Sequence, residues 1–189
     1  AVKEKDTWTG PTGPSSEMFY DLTPHGLGDL THDEFLKYEE EQKLVEVWND
    51  VFMEFEKKDG EIVGKLKQKN VDTGAGLERL LMVMQHTDNI FGTDLFAPLM
   101  AITRTHTPDE KSARIIADHI RTSVFLISEG VTPSNTDRGY VLRRLIRSAI
   151  YRTNTKSMDE NEIQSLVDAI ITTYKEVYPE ISDKKDFIV

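Results

Sequence analysis

Residues 71–80 read VDTGAGLERL, and this run gathers side chains that could act on a small ligand. Gly74 and Gly76 let a backbone pass close to another molecule with no side chain intervening. Asp72 precedes them and Arg79 lies one turn into the helix that follows, so the two could hold opposite ends of a zwitterionic or phosphorylated molecule. The carboxylate would take an ammonium and the guanidinium would fork onto a phosphate. The same run also reads as a plain strand-to-helix turn with a surface acid and an adjacent Glu78–Arg79 pair. Neither G-x-G-x-x-G nor G-x-x-x-x-G-K-S/T is present, so it is not a dinucleotide fingerprint or a P-loop.

A second set of candidates is cationic. Residues 104–152 carry nine Lys and Arg, eight of them Arg, against five acids, while residues 1–103 and 153–189 are net -10 and -4. Arginine forks onto phosphate better than lysine does, so this island is where a polyanion could bind, although the whole chain is at -10. Arg138, Arg143, Arg144 and Arg147 lie off the apolar face that runs through Leu142 and Leu145, and Arg143 and Arg147 form an i,i+4 pair. A solvated face, or pairing with acids such as Asp118 or Glu129, is the competing explanation. Asn135 precedes the same helix and is by type a preferred cap.

The elements that must position these groups follow from periodicity. Two Gly-Pro pairs at 10–14 predict a loop. Thr31 to Glu34 forms a capping box opening a short helix with Phe35 and Tyr38. From Val45 the pattern is period-two, with Val51, Met53 and Phe55 alternating against Phe52, Glu54 and Glu56. Asp59-Gly60 is a two-residue hairpin signal, and Ile62 to Lys67 is the returning strand. Then come a short strand, the glycine-rich turn and a helix.

Beyond Gly92 the pattern is helical. One helix is predicted with Thr107 as cap, Pro108 at the first position and Glu110 closing a box, running to Gly130. A second starts near Asn135 or Thr136. A third is capped by Ser157, carries the stripe Ile163, Leu166, Val167, Ile170, Ile171 and Tyr174, and stops at Pro179. The sum is an α+β fold: a mixed half over residues 1–90, then a helical bundle over 91–189.

Composition sets the outer bounds. With 189 residues, 38% hydrophobic and 30% charged, the sequence is that of a globular protein able to bury a core. The absence of cysteine excludes disulfides, thiolate metal sites and a cysteine nucleophile. No window is apolar enough for a membrane span, and without a signal-like start a cytoplasmic location is expected. The five histidines, at 25, 32, 86, 106 and 119, include no H-x-x-x-H pair, so no metal site is expected.

VDTGAGLERL resembles motif 3 of the class II aminoacyl-tRNA synthetases, in the form found in the alanyl-tRNA synthetases. Other blocks agree in order: GPTGPSSEMFYD at 10–21, VWNDVFMEF at 47–55, TDLFAPL at 93–99, ADHIRTSVFLISEGVTPSN at 117–135 and RGYVLRRLIR at 138–147. The resemblance implies a piece of a longer ligase that activates alanine with ATP and Mg2+ and transfers it to tRNA. It would hold the later part of an antiparallel-sheet catalytic domain and the start of a helical tRNA-recognition domain. Motifs 1 and 2 and the editing domain would lie elsewhere, and the isolated piece would be inactive. A non-catalytic module binding the tRNA acceptor stem is the alternative.

The resemblance also assigns roles. Asp72 would bind the α-amino group of alanine, with Gly74 where a side chain would intrude and Val51 lining the methyl pocket. Asn49, two residues before Val51, would face the same side of the strand. Trp8 would correspond to a pocket tryptophan, although the loop from it to Gly10-Pro11 is shorter than in the family. For ATP, Arg79 would clamp the γ-phosphate, with Gly76 and Glu17 beside the nucleotide pocket. Asn135 would read the wobble G·U pair of the acceptor stem, and Arg138, Arg143, Arg144 and Arg147 would contact its phosphates. Arg121 and His119 are expected to pack helices rather than bind ligands.

Overall fold

The computed structural model describes residues 7–107 and 109–189, and the chain divides into two compact units, Ala1–Ile90 and Phe91–Val189. The first holds a four-stranded antiparallel sheet and the second is helical, so the α+β expectation holds. No helix among the described residues is long and apolar enough to cross a membrane.

In the first unit β3 (Leu44–Lys58) is the central strand. Along one edge it pairs with β1 (Gly10–Thr12) and then β2 (Ser15–Asp21), and along the other with β4 (Glu61–Ala75). The first Gly-Pro pair is therefore in an edge strand rather than a loop, as proline allows where no ladder N–H is needed. The chain leaves the sheet at Gly13-Pro14, whose carbonyl accepts from the Phe52 N–H at 2.9 Å. Asp59 and Gly60 both have positive φ, 50° and 86°, which gives the tight turn a twist matching the flanking strands.

The glycine-rich segment departs from expectation. β4 is one strand of 15 residues that runs through Asp72 and Gly74, and neither Gly74 nor Gly76 has positive φ. Residues 65–70 (KLKQKN) hide this continuity, because the ladder shifts register between Met53 and Phe55 and again between Glu56 and Lys57. Helix α1 (His32–Glu40) has the expected Thr31–Glu34 capping box and rests on the sheet through Phe35, edge-on to Phe19 at 4.9 Å. Helix α2 (Leu77–Met84) starts directly after β4.

The second unit packs around α4 (Glu110–Ser128), which buries Ala113, Ile116, Ala117, Ile120 and Val124. Against it lie α3 (Ala97–His106), α5 (Asp137–Tyr151), α6 (Glu160–Tyr174), α7 (Pro179–Asp183) and α8 (Lys185–Ile188). Leu142 and Ala149 of α5 and Leu166, Val167, Ile170, Ile171 and Tyr174 of α6 are buried, as their stripes predict. The Arg121 guanidinium lies 4.2 Å over the Phe96 ring and donates to the Tyr174 hydroxyl at 3.0 Å. It is a packing group, as expected.

Helix ends are set by aspartate where the sequence pointed to Ser or Thr. Asp109 caps α4, accepting from the N–H groups of Lys111 and Ser112 at 3.2 and 3.0 Å. Thr107 instead ends α3, and Pro108 lies outside the described residues. Asp159, not Ser157, caps α6, in a capping box with Glu162. A carboxylate wins because it accepts from several donors at once and favours the helix N-terminus electrostatically. Helix α6 ends at Tyr174, and Pro179 opens α7 instead of terminating its predecessor.

Gly139, in the first turn of α5, sits so close to the preceding loop that a Cβ would lie 2.5 Å from the Thr132 carbonyl oxygen and 2.3 Å from Ser134 Oγ. Gly139→Ala should cost on the order of 2–3 kcal/mol in urea unfolding followed by circular dichroism, because a backbone oxygen cannot rotate away. His119 has its imidazole pushed below its ordinary range, chiefly by burial, and its Nδ1 is unpartnered. A lowered folded pKa means stability complete above the unfolded value of about 6.5 and lost as pH falls through it. The melting temperature should therefore drop between pH 7.5 and 5.5, and His119→Gln should flatten that slope.

Candidate functional site

Cross-strand register assembles the first candidate site. In the ladder Val51 faces Asp72, Asn49 faces Gly74 on one side and Glu17 on the other, and Ser15 faces Val51. Directly paired residues of an antiparallel sheet share a face, so Glu17, Asn49, Val51, Asp72 and Gly74 form one patch across three strands. Asn49 Nδ2 donates to Glu17 Oε1 at 3.1 Å, which ties the patch together and orients the amide. The opposite face carries Met18, Trp48, Asp50, Phe52, Val71 and Thr73, with the Trp48 indole donating to the Thr73 hydroxyl at 2.6 Å.

Glycine at 74 is not required by the chain itself. An added Cβ there would meet nothing within 4 Å, and the backbone is ordinary strand. Asp72 is solvent-exposed, so its carboxylate faces open space above the sheet and not a buried pocket.

Arg79 marks the corner where β4 turns into α2. Gly76 caps that helix without a side chain, and its N–H donates to the Val47 carbonyl at 3.3 Å. Arg79 reaches back across this corner, with Nη1 donating to the Glu46 carbonyl at 2.8 Å and lying 3.3 Å from Glu46 Oε2. The partner is thus Glu46 on β3, not the adjacent Glu78 that the sequence offered. This anchor sequence reasoning missed, since nothing local links positions 33 apart. The pairing occupies one nitrogen and fits a guanidinium held in place to present its other edge. Among the described residues no group of His, Asp and Glu is placed to hold a metal.

Trp8 does not join this patch. Its ring lies against Gly10, its Nε1 donates to the Pro11 carbonyl at 3.3 Å, and its own carbonyl accepts from the Gly60 N–H at 3.1 Å. Those contacts fix it at the hairpin turn, where Gly10 pairs with Lys57. At about 3.3 Å per residue, that is roughly 20 Å along β3 from Val51. Trp8 is thus placed apart from the other candidate residues of the sheet.

The second candidate site is in the helical unit. Asn135, Tyr140, Arg143, Arg144, Arg147, Ser148 and Tyr151 line an open depression of about 500 Å³ along α5. Tyr140, Ser148 and Tyr151 were not expected there, but their spacing from Arg144 and Arg147 places them on the same helical face. Arg138 is exposed near the start of the same helix. None of the four arginines is paired with an acid among the described residues, whereas Arg104 and Arg114 are bound to Glu110 and Arg121 lies 3.8 Å from Asp118. The ion-pair explanation therefore applies to the α3–α4 arginines and not to those of α5.

Asn135 is not the helix cap. Thr136 occupies that position without a side-chain bond, and the Asn135 Oδ1 accepts from Arg143 Nη1. The loop is held from the other side, with Ser134 Oγ donating to the Thr136 carbonyl at 2.8 Å and the Ser134 N–H donating to the Gly139 carbonyl at 3.0 Å.

Residues 4–189 match the family model of the tRNA synthetases class II (A). The chain is 40% identical over 188 residues to an alanine–tRNA ligase of Shouchella clausii, an alignment covering 97% of this chain and 22% of that protein. It is 40% identical over 186 residues to the alanine–tRNA ligase of Rickettsia akari, covering 95% and 21%, and 43% identical over 178 residues to that of Saccharophagus degradans, covering 92% and 20%. It thus spans about a fifth of the length of these curated relatives. By the family model and by these relatives, the chain belongs to the class II (A) tRNA synthetases, the family of these alanine–tRNA ligases.

Proposed function

We propose that this chain contributes the amino-acid-facing sheet and the RNA-facing helix of an alanine–tRNA ligase. The observation that carries this is the register of β2, β3 and β4, which places Asp72, Val51, Asn49, Gly74 and Glu17 on one face. On that face Asp72 takes the α-ammonium of alanine, Val51 lines a space for one methyl group, and Gly74 leaves room for the substrate. Asn49, fixed by Glu17, is the neighbouring polar group. Arg79 with Gly76 holds the ATP phosphates, and Mg2+ accompanies them.

The reaction is positioning and charge neutralisation and needs no protein nucleophile. The alanine carboxylate attacks the α-phosphorus and pyrophosphate leaves; the terminal ribose hydroxyl of tRNA then takes the acyl group and AMP leaves. A single methyl offers little binding energy for discrimination, roughly 10- to 200-fold per methylene or hydroxyl, which is why such a ligase needs proofreading beyond this pocket.

In the helical unit Asn135 reads the wobble G·U pair of the acceptor stem, and Arg138, Arg144 and Arg147 hold its phosphates. Support comes from the depression that Asn135, Arg144 and Arg147 share, and from the lack of acidic partners for these arginines among the described residues. A second reading, an acceptor-stem-binding module without catalysis, draws on the same helix. Alanine-dependent ATP–pyrophosphate exchange by the longer protein that carries this segment distinguishes them: exchange that depends on Asp72 supports the ligase reading, and exchange indifferent to it supports the non-catalytic module.

In the full-length protein carrying this segment, Gly74→Ala should leave stability within about 0.5 kcal/mol of the parent, because the added methyl is unopposed by the protein. Alanine-dependent exchange should nonetheless fall at least tenfold. Asp72→Asn should lower kcat/KM for alanine by about 10- to 100-fold through loss of a charge-assisted bond. Unchanged kinetics in both would reject the site. For the RNA face, Arg144→Ala combined with Arg147→Ala should reduce the slope of log K against log salt by about 1.5–2. An unaltered slope would remove them from the phosphate contacts.

A further inference from the structure

Resting on the assignment of Asn135 to the acceptor stem, we infer that Arg143 is the positioning residue that fixes the hydrogen-bonding polarity of Asn135, so that it presents its amide N–H groups to an acceptor on the RNA. The argument starts from the contact between the two side chains, in which Arg143 Nη1 donates to Asn135 Oδ1. A guanidinium has five N–H donors and no acceptor. Whatever part of the Asn135 amide meets it must therefore be the carbonyl oxygen, because the alternative flip would set N–H against N–H. The outward end is then the NH2 group.

The surroundings reinforce this choice. Among the described residues Asn135 has no competing side-chain partner, and Thr136 rather than Asn135 occupies the cap position, so the amide is not needed by the helix. The loop carrying it is pinned by Ser134 Oγ to Thr136 and by the Ser134 N–H to Gly139. Among the described residues Arg143 has no carboxylate partner, and it lines the same depression as Asn135. An anion on Arg143 would be compatible with this geometry, but one of its nitrogens is already committed to the amide. Arg143 therefore differs from Arg144 and Arg147, which have no side-chain partner of this kind among the described residues.

Polarity has a consequence for what is read. In the shallow minor groove of an A-form stem, pyrimidine O2, purine N3 and ribose 2′-oxygens are acceptors, while the guanine N2 amino group is a donor. With its oxygen held by Arg143, Asn135 selects an acceptor such as pyrimidine O2 or a 2′-oxygen, and the guanine amino group is left to another residue. Arg143 acts through Asn135, so removing it should erode discrimination and not only affinity.

The test is fluorescence anisotropy of acceptor-stem hairpins containing G·U or G·C, with the 189-residue chain and four variants. Asn135→Ala should abolish the preference for G·U; if it does not, the assignment of Asn135 to the stem fails, and this inference with it. Arg143→Gln and Arg143→Met both remove the charge and should weaken binding to both hairpins alike. They should differ in the ratio: glutamine can still donate to Asn135 Oδ1 and should keep the preference within about twofold, whereas methionine should lose it about 5- to 10-fold, the worth of one oriented hydrogen bond. Asn135→Asp keeps an acceptor for Arg143 but turns the outward end into an acceptor, and it should lose the preference as fully as Asn135→Ala. Preference kept in Arg143→Met but lost in Asn135→Ala would overturn the positioning role. Preference kept in Asn135→Asp would overturn the assigned polarity.

Discussion

Everything proposed for the sheet depends on the pairing of β3 with β4. Side chains alternate between faces with a period of two, so a slip of one residue would send Asp72 and Gly74 to the face opposite Val51 and Asn49. The turn at Asp59-Gly60 starts the ladder with Lys58 against Glu61. Two irregularities then let β4 run ahead of β3 before the ladder resumes at Met53 against Asn70. Only after these shifts does Val51 meet Asp72. The irregular segment 65–70, unremarkable by composition, is thus a spacer whose length decides which side chains share the Val51 face.

That dependence explains how much of the site was legible in the sequence. The period-two pattern places Asn49 and Val51 on one face without help, because they share a strand. Placing Asp72 opposite Val51 requires the length of the bulged segment, and KLKQKN carries no alternation from which to read it. The resemblance of VDTGAGLERL to a known motif supplied the roles, but it did not supply the partner of Arg79. Glu46 is remote in sequence and only the fold brings it near. Trp8 shows the same dependence on the fold: its carbonyl and ring are held by contacts at the hairpin turn that its position along the chain does not reveal.

The helical unit was more legible because its information is local. The stripes of α5 and α6 name their buried residues directly, and the expected packing role of Arg121 is met by Phe96 and Tyr174. Errors were confined to the ends, and they have one cause. At both α4 and α6 a Ser or Thr stands two residues ahead of an Asp, and the aspartate takes the cap. Hydrogen bonds from Ser112, through its hydroxyl and its backbone N–H, hold the Asp109 carboxyl below its ordinary range, so the cap remains charged and effective at neutral pH.

Charge is where sequence and structure sharpen each other most. Net charge of -10 argues against an RNA partner, and the island at 104–152 argues for one, but neither number says which arginines are available. The fold divides them. Glu110 binds Arg104 and Arg114, and those two pairings keep its carboxyl below the usual range, so that part of the island is internally neutralised. The α5 arginines have no such partner among the described residues, because α5 meets the rest of the unit through Leu142 and Ala149 and turns its basic face outward. A polyanion approaching this unit therefore meets a field concentrated on one helix, and the screening that weakens exposed pairs elsewhere has no competing carboxylate to help it there. Asn135 stands at the start of that helix, where this field and a fixed amide donor can act on the same stretch of an RNA stem.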